Sequence, residues 1–233
     1  NGKDTTHIKG GNSSDGEWNV VGWITSGGFG HSIKKSLAQG YIQTSIDIFT
    51  ELKRYPQLLN ALNFLFQTYT LEGRIPESIE LCNKIIHLAA KLGNEDLKAS
   101  KYMDLAYLLV RNNGDKEFTD ELAEEVQDNF QKAIEVFRET DNFIGEAEAF
   151  QSMANIYASI GRLEDALENF VSAKKIFKAE KAYLQAAITD ILIGVLLLSY
   201  VVLNEHSYLL TMKHLDQALI YFAKENLADL HWK

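Results

Sequence analysis

Cysteine and proline are nearly absent from this chain. Cys82 is the single cysteine among 233 residues, so no internal disulfide can form and a reducing, cytoplasmic setting is expected. The two prolines, Pro56 and Pro76, leave long stretches free to form uninterrupted helix. Basic charge is also scarce. There are 23 Lys and Arg against 32 Asp and Glu, a formal net charge of −9. The nearest thing to a basic stripe is Lys34-Lys35, so no nucleic-acid partner is expected. The polar, Gly-rich N-terminus has no apolar segment of the kind a secretory signal needs. The longest apolar run, Ile191 to Leu203, is shorter than the about 20 residues of a membrane span. Asp190 precedes it and Asn204-Glu205-His206 follow, so it reads as a helix buried on most sides within a larger assembly.

Recognisable catalytic chemistry is missing too. The histidines at 7, 31, 87, 206, 214 and 231 form no ligand pattern such as HExxH, and Cys82 and His87 fall on different helix faces, so no metal is expected. Cys82, within Glu80-Leu81-Cys82-Asn83, reads as a small apolar core residue. No GxSxG elbow or GxxxxGK[ST] loop occurs. Glu121, Glu124, Glu125 and Asp128 read as a solvated helix face. One segment invites a catalytic reading. Trp18 to Ile24 has strand character, the Gly-rich loop 25–30 follows, and a helix starts near Ser32, an order that can cradle a phosphate. The loop SGGFG resembles part of a protein-kinase glycine-rich loop, and TSGGFGHSIKKSLAQGYI resembles a segment of the folate-dependent aminomethyltransferases. No HRD or DFG triplet and no barrel follow, so the segment reads as a cap or a remnant of a preceding domain, and no cofactor is implied. An enzyme or phosphate-binding protein using the loop 25–30 is the less favoured alternative. Residues 1–16 read as a polar tail.

What is present is a repeat. Glu146 to Phe177 reads as two amphipathic helices around a turn at Ile160-Gly161-Arg162. Phe150, Met153, Ala154 and Tyr157 share one face of the first helix, and Ala166, Phe170, Ala173 and Phe177 one face of the second. Ala154 and Ala166 are expected to meet where the two helices nearly touch. This order of bulky, small and aromatic residues resembles the tetratricopeptide (TPR) repeat, in its longer variety of about 40 residues. Tyr69 with Gly73-Arg74 copies Tyr157 with Gly161-Arg162, and the aromatic position recurs at Ile42, Cys82, Phe130, Phe170 and Leu215. Second helices are expected near 32–54, 77–92, 119–139, 163–179 and 209–225. First helices are expected near 57–71, 95–111, 143–160 and 182–204. The resemblance implies an all-α, right-handed superhelical stack of antiparallel helix pairs over 32–233, preceded by a short strand and loop element at 1–31. The unpaired helix at 32–54 and the closing Leu227 to Lys233 suggest a piece of a longer repeat protein.

By the family's pattern, first helices line a concave groove. That gives Asn60, Asn63, Gln67 and Thr70, then Lys98, Lys101, Leu105 and Leu108. It continues with Glu148, Gln151, Asn155 and Ala158, and ends with Ile188, Ile191, Val195 and Leu198. Asn60, Asn63, Gln67, Lys98, Lys101, Gln151 and Asn155 are the residues expected to contact a partner, because amides both donate and accept and the lysines add charge. Some TPR proteins clamp a C-terminal carboxylate with Lys and Asn, but the full set is not matched here. The implied function is a protein-interaction scaffold rather than an enzyme. A peptide-responsive regulator or a membrane-fusion adaptor is the alternative.

Overall fold

The computed structural model describes residues 5–10, 19–25, 31–114, 116–200 and 205–224. Most of the Gly-rich loop at 25–30 and all of residues 227–233, which read as the opening turns of another first helix, lie outside them. At the N-terminus, β1 (Thr5–Gly10) pairs antiparallel with β2 (Asn19–Thr25), with a bulge between His7 and Lys9. β2 is the strand expected near Trp18 to Ile24. β1 was not foreseen, because Thr5-Thr6-His7-Ile8 was read with its Gly-rich surroundings as part of a tail.

Nine helices follow among the described residues: α1 (His31–Glu51), α2 (Tyr55–Glu72), α3 (Ile75–Lys91), α4 (Glu95–Asn113), α5 (Asp120–Glu139), α6 (Phe143–Ser159), α7 (Leu163–Ala179), α8 (Tyr183–Tyr200) and α9 (Glu205–Lys224). Each packs on the helices before and after it, and α4 also touches α6. This is a one-dimensional stack in which no helix pair can bury its apolar face alone. Both prolines stand in the first turns of α2 and α3, where a missing N–H costs nothing. Asn94, Thr119 and Asn142 cap α4, α5 and α6 by accepting from the N–H groups of Leu97, Leu122 and Gly145.

The repeated Tyr-Gly-Arg signature is a repeated three-dimensional motif. Gly73 and Gly161 adopt left-handed φ values of +74° and +78°, which turn the chain at the end of α2 and α6. The Arg74 and Arg162 N–H groups then donate to the Tyr69 and Tyr157 carbonyls, both at 2.9 Å. Each guanidinium lies over its own tyrosine ring, 3.8 Å and 4.9 Å from the centroid. Each also bonds an acid in the next helix: Arg74 Nε to Glu77 at 2.9 Å, and Arg162 Nε to Asp165 at 2.7 Å.

The core runs along the stack as two large clusters. One joins α2, α3 and α4 through Leu59, Leu65, Phe66, Cys82, Ile85 and Leu105, and the other joins α4 to α8 through Ala106, Phe130, Ile134, Ala154, Phe170 and Ile193. Leu109 packs against both. Cys82 is fully buried, as expected. Its Sγ donates to the Lys101 carbonyl at 3.1 Å, and burial pushes its thiol up to about 12, with the Asp104 charge adding to the effect. A thiol in that state is no nucleophile.

Close approach is built in with small side chains. Ala154 and Ala166 are both fully enclosed in one cluster. In α8, a Cβ added to Gly194 would sit 2.8 Å from Leu215 Cδ2, and one added to Gly145 in α6 would meet the Phe137 ring at 2.6 Å. Ala154→Leu should therefore overpack the α6–α7 contact and cost about 1–3 kcal/mol in chemical denaturation. Ser159→Ala, at the exposed end of α6, should change stability by less than about 0.5 kcal/mol. Equal midpoints for the two variants would contradict the packing described.

Candidate functional site

The first helices α2, α4, α6 and α8 carry a stripe of exposed residues at equivalent positions. Asn60, Ser100, Glu148 and Ile188 are equivalent, and so are Gln67, Tyr107, Asn155 and Val195; all eight are exposed. Between these two rows stand Phe64, Asp104, Ser152 and Leu192, and beyond them Leu71, Arg111 and Ser159. The rows on neighbouring helices connect: the Tyr107 hydroxyl donates to the Ser152 carbonyl at 3.4 Å.

The seven residues expected to face a groove divide on this evidence. Asn60, Gln67 and Asn155 lie on the exposed stripe. Asn63 is half-buried, and its Oδ1 is buried with no hydrogen-bond partner among the described residues. Gln151 is half-buried and ties α6 to α8, its Nε2 donating to Thr189 Oγ1 at 3.1 Å. Lys98 is half-buried and bonds Glu95 at 2.6 Å on another face of α4. Lys101 is a correction. Only 5% of it is exposed, its Nζ lies 4.0 Å from the Phe66 ring centroid, and it bonds Asp104 Oδ2 at 2.6 Å.

The cause is a register error of two residues in α4. The small residue equivalent to Ala154 is Ala106, fully buried. No Tyr-Gly-Arg signature follows Ala106 to mark it, so the frame slid. Leu105 and Leu108, expected beside Lys101 in the groove, are core residues. The true exposed face of α4 is Ser100, Asp104, Tyr107 and Arg111. Phe64 and Leu71 were also missed, at 63% and 89% exposure. Bulky apolar side chains in an amphipathic helix are assigned to the core by default. Their signal was spacing: Asn60, Phe64, Gln67 and Leu71 recur every three or four residues.

In α8 the exposure of Ile188, Val195 and Leu198 agrees with the groove set, while the apolar run is less enclosed than expected. Ala186, Ala187, Ile193, Leu196 and Leu197 are buried, but Leu184, Ile188, Val195 and Leu198 are between 42% and 51% exposed. α8 therefore presents an apolar ridge rather than being enclosed on most sides.

The buried edge of α8 holds the strongest charge cluster. Asp190, nearly inaccessible, bonds the Lys174 ammonium from α7 and accepts from His214 Nδ1 of α9 at 2.6 Å. A carboxylate only accepts, so Nδ1 carries the proton. Lys174 also donates to Gln217 Oε1 at 3.0 Å. Burial alone would raise the Asp190 carboxyl. The bonds from His214 and Lys174, with the Lys174 charge, outweigh it and hold the group below its ordinary value. No group of three or more His, Cys, Asp or Glu among the described residues is placed to hold a metal ion. Among these residues, no helix is long and apolar enough to cross a membrane.

Arrangement and site together define a class: a TPR-type helical stack with an exposed first-helix face. Comparison with solved structures agrees. The chain is similar to BtubC (BKLC) from P. vanneervenii, at 15% identity and TM-score 0.58, covering 84% of each chain. It is similar to the nearly identical TPR-like repeats of a Podosopora anserina kinesin light chain, at 14% identity and TM-score 0.60, over 84% of this chain and 90% of that one. It also resembles apo RapI, at 15% identity and TM-score 0.58, over 85% of this chain and 66% of RapI. At these identities the likeness is one of fold. A search of curated proteins returns no significant match. The profile of the soluble NSF attachment proteins (SNAP) matches residues 60–194, more than half of the chain. The chain belongs to the soluble NSF attachment protein family.

Two outcomes follow from the site. Lys101→Ala removes a buried side chain and a partner of Asp104, and should cost about 1–3 kcal/mol in denaturant unfolding, against less than about 0.5 kcal/mol for Asn155→Ala. The depressed Asp190 carboxyl contributes stability above the ordinary unfolded carboxyl value of about 3.9, and that contribution is lost as pH falls through the lower native value. Asp190→Asn should lower stability at neutral pH by about 1–3 kcal/mol and flatten the acid limb of a stability-versus-pH profile. An unchanged acid limb would show that this group does not couple to folding.

Proposed function

We propose that this chain is a protein-binding adaptor of the NSF-attachment type, with no catalytic role, and that the exposed face of α2, α4, α6 and α8 receives an elongated helical partner. One observation carries the reading beyond family membership: the change in that face along the stack. At α2 it mixes amides with Phe64 and Leu71, at α4 and α6 it is polar and charged, and at α8 it is the ridge Leu184, Ile188, Val195 and Leu198. Exposed apolar rows rimmed by polar residues mark interaction surfaces. A partner helix seated there would meet amides that fix its polar groups at one end and an apolar anchor at the other. In this reading residues 1–31 form a separate N-terminal element, residues 32–233 are the binding domain, and the work is done in the cytoplasm, where Cys82 stays reduced.

The test uses the whole chain immobilised, offered purified NSF and, separately, a cell extract. NSF should be retained, together with a second protein. The variant Asn155→Ala/Ile188→Ser/Val195→Ser alters only exposed positions, so its unfolding should stay within about 1 kcal/mol of the parent. It should lose the second protein while keeping its helical spectrum. Failure to retain NSF would overturn the attachment reading. Undiminished capture of the second protein by the variant would remove the first-helix face as the binding surface.

A further inference from the structure

On the side away from the exposed first-helix face, consecutive second helices leave clefts whose floors are first helices. The cleft between α5 and α7 over α6 contains the buried Glu146, bonded to Arg138 Nε at 2.7 Å. The cleft between α7 and α9 over α8 contains Asp190, already paired with Lys174 and His214. Their polar floors are satisfied internally.

The equivalent cleft between α1 and α3 over α2 has a different character. Its volume is about 510 Å³, within the usual range for ligand clefts. Ile46, Leu58, Leu62 and Leu88 make an apolar floor and walls, and Lys84, His87 and Lys91 stand along one rim. No carboxylate lines it. Lys84 bonds Glu80 at 2.6 Å, on the outer side of α3, and Lys91 lies 4.2 Å from the Tyr55 ring centroid. The rim groups recur at spacings of three and four on α3, so they form a row along the helix. A basic row beside an apolar trough is the exception on a chain of net charge −9.

We infer that the α1–α2–α3 cleft is a second docking site, which takes an acidic amphipathic helix from a partner protein. The apolar trough accepts that helix's aliphatic side chains, and the Lys84–His87–Lys91 row faces carboxylates repeating at the same interval. The periodicity selects this occupant: two lysine ammoniums with the His87 ring between them, at helical spacing, match a row of anions on a helix laid alongside, whereas a fatty acid brings only one carboxylate. This site shares α2 with the first-helix face but uses its other side, with α1 and α3 as walls, and it has the opposite chemistry.

The probe is a labelled synthetic helix of about 18 residues with leucines at three- and four-residue spacing and a flanking row of glutamates. Its control has lysines in place of the glutamates. Anisotropy titrations use the full chain, and methyl NMR reports where the peptide sits. The acidic helix should bind at least tenfold more tightly than the basic one, weaken with salt, and shift the Leu58, Leu62 and Leu88 methyls. Lys84→Glu/Lys91→Glu should weaken it at least tenfold while the circular dichroism spectrum and melting curve stay put. Equal affinity for both helices, or shifts at Ile188 and Val195 instead, would overturn the inference. So would binding only to phosphatidylserine–phosphatidylcholine vesicles, or self-association of the chain that the same double variant abolishes.

Discussion

The stack depends on how closely each first helix can approach its second helix. Ala106 and Ala154 stand at equivalent points of α4 and α6, fully enclosed, and Gly194 holds the same point in α8 against Leu215. A small residue there fixes the rotation of the first helix about its own axis. Adjacent residues on a helix differ by about 100°. The residue after the small one must therefore swing away from the pair. Tyr107, Asn155 and Val195 are those residues, and all three are exposed. The contact that sets the core thus also determines which side chains stand on the exposed face.

That constraint binds only one face. Once the inward positions are filled by Ala, Met, Leu and Phe, the outward ones contribute little to stability and are free to differ between repeats. This explains how one fold can present amides at Asn60 and Gln67, charge at Glu148 and Arg111, and an apolar ridge at Ile188 and Val195. The same freedom holds for the clefts between second helices. Leu58 and Leu62 line one, Glu146 and Phe150 another, and Ala186 and Asp190 a third, at equivalent positions of α2, α6 and α8. In α4 the equivalents are Lys98 and Tyr102. Lys98 is held by Glu95, and Tyr102 lies 5.9 Å beneath the Lys132 ammonium.

The helices were legible because every signal agreed. Amphipathic spacing and the glycines after Tyr69 and Tyr157 placed the helix boundaries within a few residues, although Pro56 and Pro76, left outside the expected helices, stand in the first turns of α2 and α3. The repeat was clearest where Tyr-Gly-Arg recurs, since that motif is a local structure with its own hydrogen bonds and ring contacts. The site was legible only as far as the register was. In α6, anchored by Ala154 and Tyr157, the frame put Asn155 on the exposed face, where it lies. In α4, with no such anchor, a shift of two residues turned the buried Lys101 into a surface residue. A lysine on an amphipathic helix is assumed solvated, and nothing local reveals that a phenylalanine from the preceding pair, Phe66, will roof it. Strand β1 was hidden for the opposite reason: its pairing with β2 is non-local, and a short polar segment carries little strand signal of its own.

The middle of the stack and its last described pair are held by different forces. In the middle, Phe130, Phe170 and Phe177 are fully enclosed, and their burial carries no titrating group. The last pair has Leu215 where those repeats carry an aromatic residue, and the polar set Lys174, Asp190, His214 and Gln217 crosses between α7, α8 and α9 beside it. Hydrogen-bonded charges are directional, so they fix the angle at which α9 docks. They are also conditional, because removing Asp190 leaves Lys174 and His214 without their shared carboxylate. α8 carries the apolar ridge on one side and Asp190 on the other. The exposed apolar ridge is therefore mounted on the same helix that carries the buried Asp190 cluster, so a change in how that cluster seats α8 would also move the ridge.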